Sequence, residues 1–416
     1  MTRYICSKMF TDLNIKFPDE IIKNCCKSND DKIKLDDLQN NFLVNNAEYQ
    51  KRKSSMLYDN ALPVNGCDTC VRTEPNSLFR SWNEWRNKDT YTNDEVNSLY
   101  KNENFNYYEF VMSSDCDLKC VYCGAKDSSS WAKELGERKR AASKQWKDRV
   151  EEEIIHHLEN KKFKDNRTYF FSFSGGEPTY NVEMIDYMQK IIKLIPAERS
   201  VINISTNLNA KEKIFTRFLN LIDDNNNLLF TVDSSFEDIG KRCEAIRSGL
   251  NWDRAMKNMD KLFLRDNVQV RISPTPNLYS IPNVLEFLKY FVEKFKANNK
   301  FKPEGNDPTS KNNLLSFHSM FNHNMVQEPP LTPMSLPMHY KKYLTEAIEY
   351  CYNNDLTNYA SHLERIKELI GSKIDSNTSK RIEQKFGYFK KVRPEYDWDA
   401  LFPHVQEVID ETKNHD

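Results

Sequence analysis

Six stretches of strand length alternate along this chain with stretches of helical period, and that alternation limits the fold more than any other feature. NYYEFVMSS (106–114), TYFFSFS (168–174), SVINIST (200–206), NLLFTVD (227–233) and NVQVRIS (267–273) are rich in aromatic and β-branched residues; LLSFHSM (314–320) is a weaker sixth. Between them, 183–194, 210–222, 252–264 and 282–298 carry apolar residues at helical spacing, as does RVEEEIIHHLEN ahead of the second strand. Strands separated by helices pair in parallel through right-handed crossovers. Six such units predict an α/β fold, a partial (β/α)6 TIM-like barrel, with its chemistry at the carboxyl ends of the strands.

At the end of the first strand stands a C-x3-C-x2-C array, Cys116, Cys120 and Cys123, inside SSDCDLKCVYCGAK. Thiolates are soft donors that suit iron–sulfur clusters, which usually take four. Three without a fourth leave one iron open. A structural zinc would want a fourth ligand, and no His or further Cys lies within twenty residues to supply it. The second strand stops at Gly175-Gly176-Glu177-Pro178. Two glycines let backbone approach a ligand closely, and strand-end carbonyls beside a carboxylate accept hydrogen bonds from an ammonium group. An ordinary tight turn also uses Gly-Gly, but it does not account for both motifs in this order.

The cysteine spacing, Tyr122 before the last cysteine, and the GGEP run resemble the radical S-adenosylmethionine (SAM) enzymes. The resemblance implies that Cys116, Cys120 and Cys123 bind a [4Fe–4S] cluster whose open iron chelates SAM. It further implies that Gly175, Gly176 and Glu177 hold the SAM amino group and that Tyr122 lies beside the adenine. One electron from the cluster would split the sulfonium to a 5′-deoxyadenosyl radical that abstracts hydrogen from a substrate. Ser205, Thr206 and Asn207 end the third strand where relatives place contacts to SAM. Thr231-Val232-Asp233 resembles an S-x-D segment facing the substrate, and Arg247 with Asn251 resembles a recurring segment after it. Asp233 and Arg271 are expected in catalysis, Arg271 as the guanidinium fork for the SAM carboxylate. Helix capping and surface ion pairing are the plainer readings of these polar residues.

A second cysteine set precedes the barrel: Cys6, the pair Cys25–Cys26, and Cys67-x2-Cys70. Residues 1–26 read as a β-hairpin, with NIKF, a turn at Pro18–Asp19, and EIIKN. The set resembles the SPASM/Twitch auxiliary-cluster modules, as do GCDTCVRTEPNSLFRSWNEW, with Glu74 and Arg80, and SSSWAKEL after the triad. That resemblance implies an auxiliary [4Fe–4S] cluster on Cys6, Cys25, Cys67 and Cys70, with Cys26 spare. A four-thiolate zinc site is the competing reading. Cys243 and Cys351 fall on helical patterns and read as packed thiols.

A chain of 416 residues accommodates 1–100 as the cysteine-rich auxiliary domain, 101–325 as the barrel and 326–416 as a helical extension. With 60 basic and 61 acidic side chains the net charge is −1, so nothing draws the whole molecule to nucleic acid. The best basic stretch, KELGERKRAASKQWKDR (133–149), reads as the solvated face of a helix. No apolar run is long enough to span a membrane and the start lacks a signal-peptide core, which predicts a cytoplasmic protein. Ten cysteines in a reducing compartment favour metal ligation. The implied partners are SAM, a one-electron donor such as a flavodoxin or ferredoxin, and a substrate. A peptide or protein is the first expectation for that substrate; a nucleotide, nucleic acid or sugar is the second. A non-catalytic iron–sulfur or zinc scaffold is the alternative outside enzymes. His318 and His323 lie where a sixth strand would bring them to the cavity, and helical patterns at about 339–353, 356–371 and 375–387 end in DALFPHVQEVID.

Overall fold

The computed structural model describes residues 4–6, 8–23, 47–59, 85–87, 92, 94, 97–98, 105–164, 167–301 and 320–413. Its strands are β1 (Tyr4–Cys6), β2 (Asp12–Lys16), β3 (Ile21–Lys23), β4 (Trp85–Asn87), β5 (Tyr107–Val111), β6 (Lys119–Cys120), β7 (Tyr169–Ser174), β8 (Ser200–Thr206), β9 (Leu229–Ser234), β10 (Arg247–Ser248) and β11 (Val268–Ile272). Seven of them form one sheet in the order β11-β9-β8-β7-β5-β2-β3, parallel except at β3. Five of the six expected strands are present. The sixth, 314–320, lies outside the described residues but for Met320. There the chain runs beside β11, with a parallel bridge from Ile272 to Phe321 and bonds from Ile272 N to Met320 O (2.8 Å) and Asn322 N to Ile272 O (2.7 Å).

Alternation sorts each strand into two faces. Tyr108 stacks on Phe171 at 5.0 Å and Phe110 on Phe173 at 5.2 Å. Ile202, Ile204, Phe230, Val232, Val268 and Val270 continue that apolar face under the helices. Helices Lys144–Asn160, Val182–Ile192, Glu212–Asp223, Trp252–Phe263 and Val284–Ala297 follow the sequence expectations closely. Phe215, Phe218, Leu219 and Ile222 show why: they recur at helical spacing and are all buried. Ser143, Asn181 and Asn251 cap their helices by accepting a backbone N–H.

Two expectations change. Residues 1–26 do contain a hairpin, β2 and β3 around the helical turn Phe17–Asp19, but β2 pairs in parallel with β5, Leu13 opposite Tyr108 and Ile15 opposite Phe110. The boundary drawn at residue 100 is therefore crossed by the main sheet, because Leu13 and Ile15 present the same buried face as the strand beside them. The basic stretch 133–149 is not one helix face. Gly136, at φ 68°, ends the helix Ser129–Leu135, and Lys139 and Arg140 then pair with Asp115 and Asp19.

After residue 320, helices Lys341–Asn353, Thr357–Leu369, Thr378–Val392, Trp398–Leu401 and His404–Lys413 pack on the α/β unit. Their anchor is aromatic: Tyr279, from the loop after β11, lies 5.8 Å from Trp398 and 5.0 Å from Phe402. Cys243 and Cys351 are buried thiols within helices, as expected.

Ile15→Ala should lower the stability of the whole sheet by about 2–5 kcal/mol, the range for a buried large-to-small change. Urea unfolding followed by far-UV dichroism is the measurement. An unchanged main transition would show that residues 12–23 do not belong to this sheet.

Candidate functional site

The cysteine loop leaves the carboxyl end of β5 and is tied down along its backbone. Ser129 Oγ accepts from Cys116 N (3.1 Å), Ser130 Oγ donates to Cys116 O (2.7 Å), and Ser128 Oγ donates to Leu118 O (2.6 Å). Trp131 Nε1 donates to Cys120 O at 2.9 Å. The SSSW segment thus closes the loop's own polar groups, leaving the three thiol side chains unbridged by disulfides. Cys120 is buried; Cys116 and Cys123 are half-buried.

Two turns from neighbouring strands hold the loop from below. Gly175 (φ 84°) and Gly176 (φ 52°) carry left-handed backbone, and Glu177 N donates to Asp115 O at 2.7 Å. A Cβ on Gly176 would lie 2.8 Å from both Asp115 N and Asp115 C and nearer still to its oxygen. Only glycine permits this approach. Asp117 then accepts from Asn207 Nδ2 (3.0 Å) and Asn209 Nδ2 (2.7 Å), fastening the loop to the end of β8.

Glu177 points inward. Its carboxylate accepts from Thr179 N (2.9 Å), Thr179 Oγ1 (2.6 Å), Thr206 Oγ1 (2.6 Å) and Asn207 N (2.6 Å). Burial raises its pKa to about 7 against those four donors, with Asp117 adding to the rise. In this arrangement the side chain joins the ends of β7 and β8.

On the other flank, β10 pairs antiparallel with β6, so that Arg247 stands opposite Cys120. Arg247 Nη1 lies 3.7 Å from Cys120 Sγ, and its Nε donates to Glu237 Oε2 at 2.7 Å. Tyr122 OH donates to Glu237 Oε1 at 2.7 Å, and the guanidinium carbon sits 5.7 Å from the Tyr122 ring centre. The Cys123 thiol donating to Cys120, with Arg247 beside it, lowers the Cys120 pKa, while Cys123 rises in return. Burial raises Cys116.

Three thiols on one held loop make a soft donor set of the kind that iron–sulfur clusters take. Among the described residues, His339, Glu407 and Glu411, far along the chain in the C-terminal helices, place ligand atoms within 4.8 Å of one another.

The sheet face opposite the helices is polar. Register places Asn14, Glu109, Ser172, Asn203, Thr231 and Gln269 in one row across β2, β5, β7, β8, β9 and β11. Ser205, Asp233 and Arg271 form the next row toward the carboxyl ends. Arg271 meets Asp233 bidentately (Nε to Oδ1 2.6 Å, Nη2 to Oδ2 2.7 Å) and reaches Asn203 Oδ1 at 3.1 Å. Its carboxylate partner within the chain is therefore Asp233, whereas the sequence led to the SAM carboxylate. Buried Asn14 Oδ1 and Gln269 Oε1 have no hydrogen-bond partner among the described residues.

His323 reaches the edge of this face, its ring 5.1 Å from that of His362. His362 Nε2 lies 2.9 Å from Asn324 O. Burial lowers His323 to about 4, with Arg365 and Arg271 adding, and His362 to about 3, with His323 adding.

Cys25, Cys67, Cys70, Cys26 and His318 lie outside the described residues, as do Glu74 and Arg80. Cys6 ends β1, its backbone opposite Trp85 of β4. Sequence reasoning missed Asp117 and Glu237. Asp117 sits inside the triad and Glu237 four residues after Asp233, but neither belongs to a motif with a spacing rule. Residues 110–272 match the family described as the Radical SAM superfamily. No curated protein and no solved structure matches the chain. Among the described residues, no helix is long and apolar enough to cross a membrane.

Gly176→Ala should unseat the cysteine loop and lower the melting temperature, since both the contact with Asp115 and the positive φ oppose a side chain. A variant melting with the parent would remove this role from Gly176. The histidines set a pH dependence whose sign is fixed. Their folded pKa values lie below the ordinary 6.5, so the unfolded chain binds more protons as the pH falls. Stability present above pH 6.5 should drop by on the order of 1–2 kcal/mol per histidine by pH 5. His362→Gln should flatten that slope in urea titrations of the metal-free protein, and an unaltered slope would refute the assignment.

Proposed function

We propose that this chain is a radical SAM enzyme, proceeding from the radical SAM superfamily domain at residues 110–272. The observation that carries the reading is the held cysteine loop: three thiols unbridged by disulfides, their backbone tied off by SSSW, braced by Gly176 and by Asp117 at the strand ends. Cys116, Cys120 and Cys123 would hold a [4Fe–4S] cluster, which when bound supplies the electron that splits SAM to a 5′-deoxyadenosyl radical.

The remaining roles belong to side chains of the protein. Arg247 and the Cys123 thiol keep Cys120 ready to ligate. The carbonyls of Gly175 and Gly176 offer acceptors to the SAM amino group, with Glu177 positioning that turn through Thr179, Thr206 and Asn207. Tyr122 is the residue for the adenine, and Ser205 and Asn207 border the nucleoside. Asp233 and Arg271, held as a pair, face the substrate from the polar side of the sheet. The amide oxygens of Asn14 and Gln269 on that side, which have no partner among the described residues, favour a substrate with hydrogen-bond donors. A peptide or protein is the substrate class proposed, resting on the resemblance of the N-terminal cysteine set to auxiliary-cluster modules. Cys6, Cys25, Cys67 and Cys70 would ligate that auxiliary cluster, with zinc as the competing metal, and a flavodoxin or ferredoxin would supply the electrons.

Anaerobic reconstitution with iron and sulfide, then reduction with SAM present, should yield 5′-deoxyadenosine in the parent and none in Cys120→Ala. Parent protein that binds zinc but no iron, and yields no 5′-deoxyadenosine, would make the chain a scaffold instead.

A further inference from the structure

Arg393 follows the helix Thr378–Val392 and is fully buried, yet its Nε and both Nη atoms have no hydrogen-bond partner among the described residues. A guanidinium does not give up its proton inside a protein, so it stays a buried cation with every donor unfilled. Its guanidinium carbon lies 4.6 Å from the Phe389 ring centre and 4.9 Å from that of Trp131. Ring faces attract a cation but offer no lone pair to its N–H groups, so they offset only part of the desolvation.

The surroundings show where the missing anion belongs. Trp131, the ring under Arg393, donates its indole N–H to the carbonyl of Cys120. Of the carboxylates whose charge reaches Arg393, Glu134 is already bound to Lys119 and Tyr388, and Glu395 is exposed. A thiolate at Cys120, whose backbone carbonyl holds the indole stacked under Arg393, is the remaining anion that would reach it. Cys120 has Arg247 on its other flank, but Glu237 neutralises that charge at close range. Arg393 is therefore a buried positive charge near the triad that has no acceptor among the described residues. It comes from the C-terminal extension rather than from residues 110–272.

We propose that Arg393 is the buried counter-charge for the iron–sulfur cluster on Cys120, raising the reduction potential of that cluster. The inference rests on the radical SAM reading of the triad. A [4Fe–4S] core on three thiolates is net anionic and gains one more negative charge when an external one-electron donor reduces it. A fixed cation nearby favours the reduced form, since net charge and burial are among the levers on such potentials. The C-terminal helices on this account are an electrostatic part of the cofactor site. A cleft of about 420 Å³ lined by Cys123, Gly124, Trp131, Lys385 and Tyr388 lies along the same contact. Arg393 acts through the cluster and is a positioning residue, not a catalytic one.

The test is an EPR-monitored redox titration of the reconstituted full-length protein and of R393M and R393K. R393M should shift the one-electron reduction equilibrium about tenfold against the reduced cluster, 59 mV toward more negative potential. R393K, which keeps the charge, should recover most of the shift. Methionine fills a buried site without charge, so metal-free R393M should melt at or above the metal-free parent. An iron-loaded R393M with the parent's potential overturns the proposal, as does a metal-free R393M that melts below the parent, which would assign Arg393 to packing. A parent that binds no iron overturns the reading of the triad itself, a separate result.

Discussion

Asp117 sits inside the cysteine loop and accepts the side-chain amides of Asn207 and Asn209. Three thiols on an eight-residue stretch are useful only if the stretch is held, because a loose loop pays in entropy when it closes around a ligand. Here every neighbouring turn contributes. The glycine turn after β7 approaches Asp115, the asparagine turn after β8 grips Asp117, and Gly249 comes within 2.9 Å of Asp117 O where its Cβ would be. The parallel sheet supplies the strand ends from which these turns meet.

Electrostatics organises the same place. Arg247 lies beside the Cys120 thiol and Arg393 over Trp131, whose indole holds the Cys120 carbonyl, and the difference between them is their partners. Arg247 is paired with Glu237 and ties down Tyr122, so its charge is largely local. Arg393 has aromatic rings for company and no acceptor among the described residues. Across the sheet, Asp233 and Arg271 neutralise each other within a polar face that otherwise offers hydroxyls and amides. The molecule thus separates an arginine-flanked cysteine loop from a polar, hydrogen-bonding surface next to it.

Much of the fold was legible before any coordinates. TYFFSFS and SVINIST read as strands and are β7 and β8; the helices between strands appear within a residue or two of where periodicity placed them. Apolar repeat is a local property, so it survives translation into structure. The role of SSSW was recognisable only as a resemblance, and its hydrogen bonds to Cys116, Leu118 and Cys120 give the reason for it. Glu177 and Arg271 were read as site residues from their type and position; the hydrogen bonds each makes inside the chain, to Thr179, Thr206 and Asp233, are set by the fold and carry no sequence spacing.

The order of residues by itself determined the strand–helix alternation, the placing of the thiol triad at a strand end, and the glycines that let two backbones touch, because each depends on neighbours a few positions apart. Tertiary structure alone decided that β2 joins the sheet beside β5, that Glu237 reaches Tyr122 across 115 residues of chain, and that Arg393 arrives at Trp131 from the far end of the chain. Such partners share no period and no motif. They are chosen by which buried faces and charges the folded chain brings within a few ångströms of one another.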